Sequence, residues 1–172
     1  MRRVTAPLQI AVVGAATCDE ATAALAREVG VGLARAGAVL VSGGRGGVMS
    51  AACAGAQSAG GRTVGVLPGK DASDSSPNEH LDVVLFTGFQ QARNQILVLS
   101  SAAVIAIGGG WGTLSEIAMA LKYRVPVVLL ASWHLRRPDG LSDPLLLAAR
   151  TAADAVALAT QASARDRPIT VV

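Results

Sequence analysis

Aromatic residues and cysteines are scarce in this chain of 172 residues. Aromatics make up 3% of it, and its two cysteines, Cys18 and Cys53, form no CxxC pair and no Cys/His cluster at metal-ligand spacing. Such a pattern excludes a disulfide framework, and it predicts no metal site. Charged residues are also few, at 16% against 51% hydrophobic residues, which excludes a disordered chain.

Concentrated positive charge and long apolar runs are absent as well. The net charge is +3, but the arginines are dispersed and no basic run exceeds Arg2-Arg3 or Arg136-Arg137. A nucleic-acid partner would need a basic stripe with aromatics between, so none is predicted. No run approaches the roughly 20 apolar residues that span a bilayer, so no membrane partner is predicted. Arg2-Arg3 and the run Leu8–Gly14 superficially resemble a secretion signal. The run is short and contains Gln9, however, and we expect a first buried strand in a cytoplasmic protein.

Short apolar runs alternate with longer helical patterns along the whole chain, which is typical of βαβ units. Predicted strands are Gln9–Val13, Ala38–Ser42, Arg62–Leu67, Asp82–Phe86, Val104–Ile107 and Pro126–Ala131, with Leu145–Ala149 as a candidate seventh. Predicted helices are Asp19–Ala36, Val48–Ala59, Gln90–Ser101, Leu114–Tyr123 and Ala152–Ala162. We therefore expect one domain over residues 1–172 with an α/β, doubly wound, Rossmann-like fold. Its six- or seven-stranded sheet is mainly parallel, has helices on both faces, and covers its strands on both sides.

A glycine-rich stretch, Gly108–Glu116, follows one of these apolar runs and precedes a helix. Glycines allow a sharp turn and let a ligand approach bare N–H groups. The first turn of the helix adds unpaired N–H donors and the positive end of the helix dipole, which together favour a phosphate.

Four separate segments are expected to converge on this turn, because strand-to-helix connections of a parallel sheet emerge at one edge. They are Gly14–Thr17, Ser42–Met49, Thr87–Asn94 and Gly108–Thr113. Two glycine turns on one edge predict a binding crevice for a small phosphorylated ligand.

Two charged residues of this edge each have a functional and an ordinary interpretation. Arg93 lies in the first turn of its predicted helix and could hold a phosphate through paired N–H···O bonds, or it could face solvent. Glu116 could face a ribose, or stabilise positive charge at a sugar carbon when an N-glycosidic bond breaks. Alternatively, Thr113–Glu116 is a capping box in which Glu116 reaches back to the helix start.

Three further features each have two possible interpretations. Gly43–Gly47 is either a ligand loop or a plain turn, Trp111 either stacks on a ligand base or shields the turn, and Pro68–His80 either covers a ligand or crosses the surface. The predicted ligand-binding residues are Gly14, Ala15, Gly43, Gly44, Arg45, Gly46, Gly47, Met49, Arg93, Asn94, Gly108, Gly109, Gly110, Trp111, Gly112, Thr113 and Glu116.

The paired motifs resemble a known superfamily over about residues 9–162. Ser42–Met49 resembles the GGxxGxM element, and Gly108–Glu116 the GGxGTxxE element, of the LOG-like Rossmann proteins, some labelled "possible lysine decarboxylase". That label conflicts with the residues present. Pyridoxal phosphate needs a Schiff-base lysine, and the two lysines are Lys70 in a loop and Lys122 at a helix end.

Two branches of the superfamily differ in the residues that matter. The cytokinin-activating branch, which hydrolyses nucleoside 5′-monophosphates, carries PGGxGTxEE and an arginine-lysine pair. Here Arg93 and Glu116 match, but Gly108 replaces the proline, Ser115 the first glutamate and Asn94 the lysine. Ala92–Asn94 together with the 106–118 segment is more similar to the molybdenum cofactor carrier-like branch.

The resemblance implies a protein that binds and protects a phosphorylated pterin or a related nucleotide. It also implies assembly as a homodimer or homotetramer. No cofactor is required on this interpretation, although an AMP-like nucleotide or molybdenum cofactor could be bound. The alternative is an enzyme, a phosphoribohydrolase in which Arg93 and Glu116 are catalytic. Nicotinamide-dependent oxidoreduction is disfavoured, because the turn after the first strand lacks GxGxxG.

Overall fold

A computed structural model describes residues 7–166, and Arg2-Arg3 lie outside the described residues. The strands are β1 (Gln9–Gly14), β2 (Val39–Ser42), β3 (Arg62–Leu67), β4 (Val83–Phe86), β5 (Ala103–Ile107), β6 (Val127–Leu130) and β7 (Leu146–Ala149). The helices are α1 (Glu20–Arg35), α2 (Val48–Ser58), α3 (Arg93–Leu99), α4 (Trp111–Lys122) and α5 (Ala152–Asp166). The α3 helix is preceded by a 3-10 turn, Gln90–Ala92.

The seven strands form one sheet in the order β4-β3-β2-β1-β5-β6-β7, and every neighbouring pair is parallel. The seventh predicted strand is therefore real. The order reverses between β1 and β5, where Gly14 lies in register with Ile107. In doubly wound sheets this switch point opens a crevice at the carboxyl ends of the strands, and ligands bind there.

Side chains alternate between two apolar layers, one on each face of the sheet. On one face, Ile10, Val12 and Ile105 pack with α1, α2 and α5. On the other, Val13 and Val104 pack with α3 and α4. This arrangement confirms the doubly wound fold with helices on both faces.

The expectation that strands are covered on both sides holds for the centre of the sheet and fails at both edges, since one edge strand, β7, has no buried residue. All residues of β5 and β6 are buried. On the edge strand β4, Val83 and Leu85 are 48% and 46% exposed. The apolar run of β4 does not distinguish a central strand from an edge strand, so the prediction was wrong there.

The start of α4 differs from the predicted boundary at Leu114. The helix begins at Trp111 with Gly110 as its N-cap, and the N-cap makes no side-chain hydrogen bond. Thr113 lies in the first turn instead of capping it, so the capping-box interpretation of Thr113–Glu116 is wrong. Among residues 7–166, no helix combines the length and apolarity that a membrane span requires.

Candidate functional site

The carboxyl ends of β1, β2 and β5 lie close together at the switch point. The backbone N–H of Val48 donates to Ala15 O over 3.1 Å, which joins the start of α2 to the turn after β1. A Cβ placed on Gly14 would lie 2.5 Å from Val48 Cγ1 and 2.8 Å from Ile107 O. Only a residue without a side chain allows the approach of these three backbone segments.

The turn after β2, residues 43–47, is held from several sides. Ser42 is buried, and its hydroxyl accepts the Gly44 N–H over 3.1 Å. Asn78 comes from the Pro68–His80 loop: its backbone N–H donates to Gly44 O over 2.9 Å and its Nδ2 donates to Arg45 O over 3.0 Å. The Pro68–His80 loop is therefore fastened to this turn. Gly46 and Gly47 lie against Ala16 of the first turn.

Gly43 makes room for the Arg93 guanidinium. A Cβ on Gly43 would lie 2.5 Å from Arg93 Nη1, 2.8 Å from Nη2 and 2.8 Å from Met49 Sδ. The glycine of the β2 turn, the arginine that begins α3 and the methionine of α2 thus share one small volume. Arg93 and Met49 therefore come together here, as predicted from their positions in the sequence.

Arg93 is buried with little to compensate its charge. It is 8% exposed, and neither Nε nor Nη1 has a hydrogen-bond partner among the described residues. Its Nη1 lies 4.0 Å from Glu116 Oε1, which is an ion-pair contact too long for a hydrogen bond. Burial lowers the pKa of Arg93, the nearby positive charge of Arg45 lowers it further, and Glu116 opposes both. The solvent-facing interpretation of Arg93 is wrong.

Glu116 projects from α4 into the same interior and is 7% exposed. Burial raises the pKa of its carboxyl to about 7, and Arg93 only partly offsets this effect. An ionised carboxylate is costly to bury, so the Glu116 carboxyl is partly protonated near neutral pH. Glu116 therefore offsets the charge of the neighbouring Arg93 only in part.

The remaining corner is the turn from β5 into α4. Gly109 has φ of +114°, a conformation that few residues other than glycine adopt, and it packs against Thr113. The first bond of α4 runs from Leu114 N–H to Gly110 O over 3.0 Å. The N–H groups at the three preceding positions, residues 111–113, are the unpaired donors expected of a helix start. A Cβ on Gly110 or Gly112 would meet nothing within 4 Å, so the approach from solvent is open.

Trp111 at this helix start is 79% exposed and contacts Trp133, with ring centroids 5.5 Å apart and planes inclined by 39°. Trp133 lies in the loop after β6 and packs against the apolar layer of α3 and α4. That loop is fastened to the glycine turn, because Ser132 Oγ donates to Gly108 O over 2.6 Å. We call Trp111 and Trp133 the tryptophan pair.

The predicted residues thus fall into one connected set at one edge of the sheet. The β1 turn contacts the β2 turn, the β2 turn contacts Arg93, and Arg93 contacts Glu116. Asn94 is buried beside them, with its Nδ2 3.5 Å from Ser115 Oγ and its Oδ1 without a hydrogen-bond partner among the described residues. Arg45 is exposed but near enough to lower the pKa of Arg93.

Ser132 and Trp133 were not predicted from the sequence, while Ser42 and Asn78 lay in segments expected near the site without being predicted as contributors. Ser42 directly precedes the glycines of the β2 turn, and this position in the sequence could have identified it as a contributor. Asn78 and Trp133 reach the site from loops whose paths no local pattern predicts.

A separate cavity of about 250 Å³ lies among residues of β7 and α5 and residues just before β6 and β7. It is lined by Pro126, Pro144, Leu145, Leu147, Leu158, Gln161 and Ala162. Since Pro126 and Pro144 precede the amino ends of β6 and β7, this cavity lies at the edge opposite the glycine turns.

The parallel sheet, the two glycine turns at its switch point and the Arg93–Glu116 pair together define a LOG-like Rossmann protein. More specifically, the chain belongs to the SLOG cluster4 family, whose sequence profile matches residues 7–163.

Solved structures of high similarity include two molybdenum cofactor proteins. The molybdenum cofactor binding protein of Rippkaea orientalis is 36% identical, with a TM-score of 0.82 over 91% of this chain and 98% of that one. The molybdenum cofactor carrier protein of Chlamydomonas reinhardtii is 37% identical, with a TM-score of 0.81 over 93% of this chain and 100% of that one. A cytokinin riboside 5′-monophosphate phosphoribohydrolase of Mycobacterium tuberculosis is 34% identical over 116 residues, which are 63% of this chain and 62% of that enzyme.

Proposed function

We propose that this protein binds and protects a phosphorylated small molecule, a pterin such as molybdenum cofactor or a related nucleotide. The phosphate is held by the N–H groups of the 108–113 turn and by the Arg93 guanidinium. The two similar molybdenum cofactor proteins support a carrier role for a small ligand. The proposal includes neither catalytic turnover nor a required cofactor.

The observation that carries the proposal is the uncompensated charge of Arg93. A buried guanidinium normally makes charge-assisted hydrogen bonds, yet two of its nitrogens lack partners and its carboxylate neighbour is 4.0 Å away. Near neutral pH that neighbour is partly protonated, which leaves positive charge beside Gly43. An anionic ligand supplies the missing acceptors and the missing negative charge.

Thermal denaturation tests the proposal directly. A ligand present at about 100 times its dissociation constant adds ~2.7 kcal/mol of stability. For a chain of this size the expected rise in melting temperature is roughly 5–10 °C. AMP, GMP, pterin phosphates and molybdenum cofactor are the ligands to compare. A melting temperature unchanged by all four would contradict the proposal.

A pair of arginine variants separates the role of Arg93 from a general effect of charge. Arg93→Lys keeps the charge but loses the planar pair of donors, so affinity for the stabilising phosphate should fall about 10- to 100-fold, as for hydrogen bonds to a charged group. Arg35→Lys is the control, because Arg35 is exposed in the last turn of α1 and away from the glycine turns. Equal affinities of both variants would argue against Arg93 as a ligand residue.

A second candidate function is hydrolysis of a nucleoside 5′-monophosphate to the free base and ribose 5-phosphate. The closeness of buried Arg93 and Glu116 favours it, as does the similarity to the phosphoribohydrolase. Arg93 would orient the phosphate, and the ionised Glu116 would stabilise positive charge on the sugar carbon as the N-glycosidic bond breaks.

The hydrolase is tested by incubating the protein with AMP and measuring released adenine. Release that rises as the pH passes about 7 and disappears in Glu116→Ala would support it, since only the ionised carboxylate stabilises the developing charge. No adenine after long incubation at high protein concentration would exclude it.

We also propose a cytoplasmic homodimer or homotetramer. Cys18 and Cys53 are both free, which suits a reducing compartment. The half-exposed apolar edge formed by Val83, Leu85 and Phe86 is unusual for an isolated sheet edge and suits burial against another copy.

A further inference from the structure

We propose that the tryptophan pair is the recognition site for a flat heteroaromatic ring on the phosphorylated ligand. The ring stacks on the free face of Trp111, while Trp133 supports Trp111 from behind. This inference rests on the proposed function and adds to it the residues that recognise the purine- or pterin-like ring beside the phosphate.

The placement of the two tryptophans is the first argument. The chain contains only five aromatic residues, two of them tryptophans, and the two tryptophans meet beside the glycine turn. Because Trp111 is 79% exposed and contacts Trp133, a large apolar ring surface faces water beside the turn. Stacking on a ligand ring removes that surface from water.

Support from Trp133 is the second argument. Trp133 is anchored in the apolar layer of α3 and α4, and its loop is tied to Gly108 by Ser132. Its ring lies 5.5 Å from that of Trp111, within the range of aromatic pairs. Trp111 is thereby held over the turn, and its remaining exposed surface is available for stacking. Trp133 is a positioning residue in this arrangement.

Proximity to the phosphate position is the third argument. The backbone N–H of Trp111 belongs to the first turn of α4, which offers its donors to a phosphate, and the indole belongs to the same residue. One small molecule can therefore reach both the donors and the indole. Gly110 and Gly112, on either side of Trp111, carry no side chain that would block this approach.

Matched ligands test the inference. AMP and a pterin monophosphate carry the ring, whereas ribose 5-phosphate is a phosphate without one. Stacking of a base on an aromatic side chain is worth about 5- to 150-fold in affinity, equivalent to about 1–3 kcal/mol. The wild-type protein should bind a ring-bearing probe more tightly than ribose 5-phosphate by a factor in that range.

Variants of the pair and a distant aromatic control complete the experiment. Trp111→Ala should abolish the preference for the ring and leave the affinity for ribose 5-phosphate unchanged, whereas Trp111→Phe should keep most of the preference. Tyr123→Ala is the control: Tyr123 is the C-cap of α4, 12 residues and so about 18 Å along the helix from Trp111. Trp133→Phe leaves Trp111 as the only tryptophan, and its fluorescence should be quenched by ring-bearing probes alone.

The outcomes separate this inference from the proposed function. If Arg93→Lys weakens the binding of every phosphate probe but Trp111→Ala leaves the preference for the ring intact, the inference is overturned and the proposed function stands. If ring-bearing probes bind through Trp111 and Arg93→Lys has no effect, the phosphate role falls and the ring site stands. If none of the probes binds, both are overturned.

Discussion

Replacing Glu116 by glutamine should change how the stability of the protein depends on pH. Burial raises the pKa of Glu116 from 4.5 to about 7. A carboxyl that holds its proton more tightly in the folded state stabilises the fold at low pH. That contribution is complete below about pH 4.5 and is lost as the pH rises through about 7. Glutamine mimics the protonated form, so the variant should not show this loss.

The size of the effect follows from the two pKa values. They differ by about 2.5, and each pKa unit corresponds to about 1.4 kcal/mol, which gives ~3 kcal/mol in full. Part of the change occurs below pH 5. Between pH 5 and pH 9, the free energy of unfolding of Glu116→Gln should therefore rise by about 2–3 kcal/mol relative to wild type.

Urea denaturation followed by circular dichroism at pH 5, 6, 7, 8 and 9 measures this difference. Glu20→Gln is the matched control, because the Glu20 side chain is 80% exposed and pairs with Arg27 on the surface of α1. Its difference from wild type should stay nearly constant over the same range. A constant difference for Glu116→Gln too would refute the claim that burial raises the pKa of Glu116 in the folded protein.

Three further substitutions have expected results. Gly43→Ala should displace the Arg93 guanidinium, weakening AMP binding in a titration while lowering stability by about 1–3 kcal/mol, the usual range for overpacking. Unchanged AMP affinity would show that the guanidinium position is unimportant. Gly112→Val should weaken AMP binding far more than Trp111→Phe, because its side chain meets no protein atom within 4 Å and crowds only the ligand. Equal effects in the same titration would argue against recognition by backbone N–H groups. Leu85→Asp should shift the mass measured by light scattering towards the monomer, and an unchanged mass would place the subunit contact elsewhere.

Much of the architecture could be predicted because the signals are local. Apolar runs of four to six residues, separated by helical patterns and glycine turns, indicate parallel strands with crossovers. Topology then places their carboxyl ends on one edge, so residues as distant as Gly43, Arg93 and Glu116 were expected together. The bounds of α4 were missed, since Gly110 caps the helix without a side-chain bond and its neighbour Gly112 disfavours a helix locally.

The sequence by itself determined the order of strands and helices, the edge at which the glycine turns emerge and the residues available there. Hydrophobic periodicity and the conformational freedom of glycine act over a few residues, so both can be recognised in the sequence. Only the tertiary structure decided that Arg93 is buried with unpaired nitrogens, that the pKa of Glu116 is raised to about 7 and that Trp111 meets Trp133. Those properties depend on burial and on contacts between residues far apart in sequence, which arise once the sheet and its helices have packed.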